Sequence, residues 1–174
     1  TLFSKTVVTD EDGRYVIPDL PAAQYDVWVR GYGLVDSEKI NAAPGQSLDL
    51  NAVIAPDAAA AAAYYPAGNW YSLLEIPDKS EFPGTGPDGN GISPNIHNQA
   101  DFIRRVTSGG CGACHQLGNA AIRNIPNLFS GYDTSTGAWD RRVRSGQAGG
   151  SMIGSLAGMG EQRALEMFAD WTDR

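Results

Sequence analysis

The chain has 174 residues, 42% of them hydrophobic, with 20 acidic against 13 basic side chains and a formal net charge of -7. That length allows one ordinary domain or two small ones, with enough apolar residues for a folded core. The negative charge argues against a nucleic-acid or anionic-lipid surface and favours a basic partner; no run approaches the roughly 20 apolar residues of a membrane span, and "TLFSKTVVTD" does not read as a targeting segment.

The first part of the chain alternates like β-strands. "KTVV", "GRYVI" and "QYDVWV" place Tyr25, Val27 and Val29 on one face and Asp26, Trp28 and Arg30 on the other. Asp12-Gly13 is expected to supply the positive-φ pair of a tight hairpin, and Pro18 and Pro21 bracket a second turn, so the strands should run antiparallel. "DEDG" shares residues with a calcium loop but lacks the other ligands and helical flanks of an EF-hand. The stretch "DEDGRYVIPDLPAAQYDVWVRGYG", followed by "GQSLDLNAVI", resembles the carboxypeptidase regulatory-like domain over about residues 1–55. That resemblance implies a small transthyretin-like antiparallel β-sandwich, further strand sequence ahead of Thr1, and a structural or docking role; the region has no Cys or His.

Composition then shifts. Pro56 and Pro66 bracket the alanine run Ala58 to Ala63 with Tyr64 and Tyr65, a pattern equally suited to a helical turn or a linker. "EIPDKSEFPGTGPDGNGISPN" has no period of two or of 3.6, and residues 56–93 read as an irregular connection. Its aromatic group, Tyr64, Tyr65, Trp70 and Tyr71, is expected to cover an apolar surface of the next domain; exposed, it would be an interaction patch.

From Asn95 the pattern turns helical. In "NQADFIRRVTSGG", Phe102, Ile103 and Val106 share a face, Arg104 and Arg105 point away, and two glycines stop the helix before Cys111. In "GEQRALEMFADWTDR" a second stripe runs through Ala164, Leu165, Phe168 and Trp171, with Glu161 near the positive helix start.

"CGACH", residues 111–115, holds the chain's only two cysteines, Cys111 and Cys114. A structural zinc site needs four ligands, and beyond these thiols and His115 the only other histidine is His97, with no second CxxC. A thioredoxin-type dithiol belongs after a strand in a βαβ unit, whereas this motif follows a helix. Haem attachment explains spacing and order together: two thiols add to the two porphyrin vinyl groups, and the adjacent histidine reaches the iron.

Residues 94–174 resemble a class I c-type cytochrome through "QADFIRRV" before CxxCH, "NIPNLFSG" after it, "RVRSGQAGGSM" and "EQRALEMFADW". Two departures are visible: "SMIGSL" lacks the proline that often follows the family's methionine, and two glycines separate the first helix from Cys111. The resemblance implies one covalent haem c through Cys111 and Cys114, with His115 as one axial ligand and the carbonyl of Pro126 receiving its other ring N–H; the alternative for Pro126 is an ordinary turn proline. The sixth ligand is expected from "SGQAGGSMIGSLAGMGE", taken as a flexible loop, with Met152 favoured and Met159 and His97 as alternatives, while Met167 packs in the last helix. Trp139, Arg141, Arg142 and Arg144 are candidates to bind the haem propionates, or else an exposed helix face. Ala113, Ile122, Leu128, Phe129, Leu156 and Phe168 are candidate pocket walls.

The expected fold is therefore α+β and multidomain: a small antiparallel β-sandwich (1–55), an irregular linker (56–93) and an all-α class I cytochrome c domain (94–174). The expected function is one-electron transfer by a periplasmic or extracellular bacterial mono-haem cytochrome without catalytic residues. Its partners would be redox proteins and the other subunits of a larger assembly, with no nucleic acid and no transmembrane segment. The alternative is the haem-bearing N-terminal part of a longer enzyme, since the order sandwich, "GNWYSLL", CxxCH is similar to that of large bacterial proteins related to virginiamycin B lyase, which end in a β-propeller.

Overall fold

A computed structural model describes residues 3–174. The chain divides into two compact units, a first ending at Tyr65 and a second, Pro66–Arg174. The first carries short strands and the second is helical, so the chain is mixed α+β.

In the first unit, Tyr25, Val27 and Val29 are half-buried while Asp26, Trp28 and Arg30 are exposed, the alternation that a pleated strand imposes. Strand β1 (Tyr25–Val27) is in line with β2 (Leu34–Val35), β3 (Ile40–Ala42) and β4 (Val53–Ile54) in chain order. β1 pairs antiparallel with β3, Tyr25 opposite Ala42, and β2 pairs antiparallel with β4, Leu34 opposite Ile54. The antiparallel expectation holds as these two two-stranded pairs; "KTVV" and "GRYVI" carry no ladder.

The hairpin expected at Asp12-Gly13 closes differently. The Gly13 N–H donates to the Asp10 carbonyl at 3.0 Å, and only Gly13 takes a positive φ, of 78°. The Asp10 carboxylate accepts from the Asp12 and Arg14 N–H groups at 3.0 and 2.7 Å, satisfying a turn in which Asp12 need not enter the left-handed region. Helix α1 (Ala58–Ala62) resolves the alanine run in favour of a helical turn: Asp57 caps it by accepting from the Ala60 N–H at 2.8 Å.

The second unit contains α2 (Ala67–Ser72), α3 (Gln99–Val106), α4 (Cys111–Cys114), α5 (Ala120–Arg123), α6 (Ser135–Val143), α7 (Gly149–Met159) and α8 (Glu161–Asp173). Helix α8 packs on α6 and α7, and α3 packs on α7 and α4. Both stripes face inward: Phe102 and Val106 of α3, and Ala164, Leu165, Phe168 and Trp171 of α8, are buried, whereas Ile103 stays 39% exposed.

Residues 66–93 do not form a separate connection. Trp70, Leu74 and Ile92 enter the core, and the buried indole of Trp171 donates to the Trp70 carbonyl at 2.6 Å. Side chains order this aperiodic stretch: the Asn90 Oδ1 accepts from the Thr85 and Ile92 N–H groups, and its Nδ2 donates to the Glu81 carbonyl. The four aromatics separate accordingly, since Trp70 is buried, Tyr71 is 38% exposed, and Tyr64 and Tyr65 belong to the first unit.

The glycine-rich segment expected as a loop around Met152 is instead helix α7. Each interior glycine costs a helix about 1 kcal/mol relative to alanine, but here packing overrides propensity. Leu156 and Met159 are buried, and at Gly158 a Cβ would come 2.9 Å from Arg105 Nη1, so the small residue admits α3's side chain. Gly160, at φ 102°, separates α7 from α8 and lies so close to Gly91 that a Cβ would come within 1.9 Å of its carbonyl oxygen. Among the described residues no helix is long and apolar enough to cross a membrane.

Candidate cofactor-attachment site

The attachment motif is tucked against the end of α3. The Gly109 N–H donates to the Arg104 carbonyl at 2.8 Å, folding the chain back. A Cβ on Gly110 would lie 2.3 Å from the Arg105 carbonyl oxygen, and one on Gly112 would lie 2.3 Å from that of Thr107. The glycines that interrupt the expected spacing thus serve close backbone approach. Cys111 and Cys114 bound the single turn α4, which the His115 N–H closes on the Cys111 carbonyl at 2.9 Å before His115 leaves in an extended conformation, φ -118° and ψ 136°.

Both thiols are free; Cys111 is half-buried and Cys114 exposed. Burial pushes the Cys111 thiol above its ordinary pKa. A redox-active dithiol requires the opposite, a thiolate stabilised near neutral pH. Among the described residues no three His, Cys, Asp or Glu side chains are grouped to hold a metal ion, so Cys111, Cys114 and His115 do not converge as zinc ligands must.

Beyond His115 the chain is fixed at several points. Gly118, at φ 88°, abuts α2, where a Cβ would come 1.9 Å from the Ala67 carbonyl oxygen. Asn119 caps α5 by accepting from the Ala121 N–H at 2.9 Å. Pro126 is exposed and opens a 3-10 turn over Asn127–Phe129, its carbonyl accepting from the Phe129 N–H at 2.8 Å; a carbonyl has a second lone pair available. The candidate wall residues separate here. Phe129, Leu156 and Phe168 are covered by protein, Ile122 is half-buried, Ala113 is exposed, and Leu128 is 84% exposed.

Met152 is half-buried on α7. Ser155, one turn later on the same face, lies against Gly110, where a Cβ would come 3.6 Å from its Oγ. Met152 therefore occupies the α7 face that meets the approach to Cys111. Met159 is fully buried, Met167 is buried in α8, and His97 is exposed.

The residues proposed from sequence as propionate donors have other partners. Trp139 donates its only N–H to Thr172 Oγ1 at 2.8 Å and stacks on Phe168. Arg141 is exposed and donates to Ser145 Oγ at 2.7 Å, Arg142 donates to three backbone carbonyls, and Arg144 pairs with Asp140 and Glu161. The single Trp139 N–H is thereby spent, while Arg141 uses one of its five N–H groups.

A different pair has donors to spare. The Arg123 guanidinium lies 3.7 Å from the centre of the Trp70 ring, and Trp70 Nε1 and Arg123 Nε are buried without hydrogen-bond partners among the described residues. Burial lowers the Arg123 pKa, and among the described residues no carboxylate pairs with it. Sequence reasoning missed both: Trp70 lies in the aperiodic stretch and Arg123 in a one-turn helix too short to show a pattern. A buried donor left without a partner costs about 1–3 kcal/mol.

The residues present fit a covalent haem. Two thiols occupy one turn, an imidazole follows directly, a thioether lies on α7, whose Ser155 faces Gly110, and Leu128 presents uncovered apolar surface. Comparisons with protein-family models, curated proteins and solved structures find no match.

Proposed function

We propose that this chain is a mono-haem c-type cytochrome that transfers single electrons. The observation that carries this reading is the CGACH turn: the two ends of one helical turn present Cys111 and Cys114, the backbone turns out at His115, and burial raises the Cys111 thiol where a redox dithiol needs it lowered. A haem held there supplies the one-electron Fe(III)/Fe(II) couple. Cys111 and Cys114 would hold it by thioether bonds, and His115 would give one ring nitrogen to the metal, with the Pro126 carbonyl as the acceptor for its other N–H. Met152 would supply a thioether, a soft sulfur that favours the reduced metal. Arg141, exposed and bonded through one N–H to Ser145, would remain available to a porphyrin carboxylate.

In this reading the second unit has the class I cytochrome fold and the first is a carboxypeptidase regulatory-like β-sandwich that docks the carrier in a larger assembly. The net charge of -7 suits basic redox partners, and covalent haem attachment of this type places the protein in the bacterial periplasm or outside the cell. The test is retention of haem in acidified organic solvent. Wild-type protein should keep its haem, and Cys111→Ala with Cys114→Ala should release it; release from wild type, or no haem at all, removes the reading.

A further inference from the structure

A cleft of about 380 Å³ opens beside the last turn of α3, lined by Asn95, Ile96, Asp101, Arg104, Arg105 and Gly109. That volume falls in the range of small-molecule sites, about 300–1,000 Å³. The buried Ile96 gives it an apolar floor. Two guanidiniums stand there against one carboxylate, on a chain whose net charge is -7. Arg104 pairs with Asp101, which engages that carboxylate. Arg105 is exposed, and among the described residues no carboxylate pairs with it.

An arginine in the last turn of a helix commonly serves the carbonyls at that end. Here those carbonyls have other donors. The Ile103 carbonyl accepts from both the N–H and the hydroxyl of Thr107 at 2.8 Å, and the Arg104 carbonyl accepts from the Gly109 N–H at 2.8 Å. The Arg105 side chain reaches α7 instead, where a Cβ on Gly158 would come 2.9 Å from its Nη1. An alanine at 158 would have to displace the guanidinium. Glycine is the poorest residue after proline for a helix interior, and at this position it keeps open the seat on which the guanidinium rests. The fold thus places an arginine at the rim of a cleft with its charge unmatched.

The geometry points to an anion site: this cleft binds a small oxyanion, a carboxylate or a phosphate, with Arg105 as its main ligand and Arg104 as the second cation. A guanidinium presents paired N–H groups that match two oxygens of either anion, and such charge-assisted pairs are stronger than neutral ones. The Asn95 amide, with both donors and an acceptor, suits a further polar group on the same molecule. The site needs no haem, so it stands or falls apart from the cytochrome reading.

The experiment titrates the full chain, as isolated, with sodium phosphate and separately with sodium succinate, at an ionic strength held constant with sodium chloride. Binding is read by nuclear magnetic resonance at the amides of Asn95, Ile96 and Gly109 and at the Arg105 Nε–H. Saturable shifts at these groups are expected, and the anion that saturates them identifies the oxyanion. Arg105→Gln should weaken binding about tenfold, the loss of a hydrogen bond to a charged group. Gly158→Ala, which keeps the charge but moves the guanidinium, should weaken it by less. Arg14→Gln, an equal loss of charge in the first unit, should match wild type. Unchanged urea midpoints would confirm that the variants fold, since Arg105 is exposed and alanine favours a helix. Shifts that grow linearly with both salts would show an adventitious ion only and overturn the inference. Saturable binding that keeps its affinity in Arg105→Gln, or in Gly158→Ala, would overturn it as well.

Discussion

Met152 and Met159 lie two helical turns apart on α7, yet the structure gives them different work. Met159 has no exposed surface and packs in the core, whereas Met152, on the same face nearer the start of the helix, is half-buried. Truncating a fully buried methionine to alanine costs about 2–5 kcal/mol. At Met152 the transfer loss is smaller and alanine is the better helix former, so the cost should stay below about 1.5 kcal/mol. Function should invert that order. Removing a thioether ligand lowers the potential and frees a metal position. Met152→Ala should therefore abolish the weak red sulfur-to-iron band of the oxidised protein, admit carbon monoxide to the reduced form and lower the potential, with little change in the urea midpoint. Met159→Ala should keep the band and lose the midpoint. The assays are absorbance spectra, potentiometry and urea unfolding on the same preparations. A band that survives Met152→Ala and disappears in Met159→Ala or His97→Ala would refute the ligand assignment.

Gly118→Ala places a Cβ 1.9 Å from the Ala67 carbonyl oxygen at a φ of 88°, and should cost about 2–4 kcal/mol in thermal unfolding while reducing haem incorporation. In protein made without haem, peptide-mapped alkylation should modify exposed Cys114 well before Cys111, whose thiol is raised by burial, and the difference should vanish in urea; preferential reaction at Cys111 would favour a redox dithiol. In the first unit, the hydrogen bond from Arg30 holds Asp36 below its ordinary pKa. A depressed carboxylate contributes stability that is present above the unfolded value, about 3.9, and is lost as pH falls through the folded one. Asp36→Asn should thus flatten the acid-side loss of stability, followed by Trp28 fluorescence.

What the sequence made legible was periodic or motif-bound. The stripes through Phe102 and Val106 and through Leu165, Phe168 and Trp171 needed only the helical repeat, and Tyr25 to Arg30 only the strand repeat. Local rules failed where tertiary contacts decide. Helix α7 forms despite its glycines because Leu156 and Met159 are buried and Gly158 admits the Arg105 side chain, a benefit that no single-segment propensity contains. Residues 66–93 enter the core through Trp70, Leu74 and Ile92, ordered by side-chain bonds such as those of Asn90, which have no period to detect. Donor availability is illegible for a related reason: Trp139 stands in a recognisable helix, but that its one N–H is spent depends on Thr172, 33 residues away. Trp70 and Arg123 become visible as a pair only once the chain is folded.

The central claim is that Cys111 and Cys114 carry a haem. Its most direct test is the intact mass, under denaturing conditions, of the full chain produced in a bacterial periplasm with cytochrome c maturation, read beside a haemochrome spectrum. The account expects one haem added to the polypeptide, with the addition mapping to the peptide that spans residues 111–115, and a spectrum of two thioether links. A mass equal to the bare chain, or to the chain less two hydrogens for a Cys111–Cys114 disulfide, would contradict it.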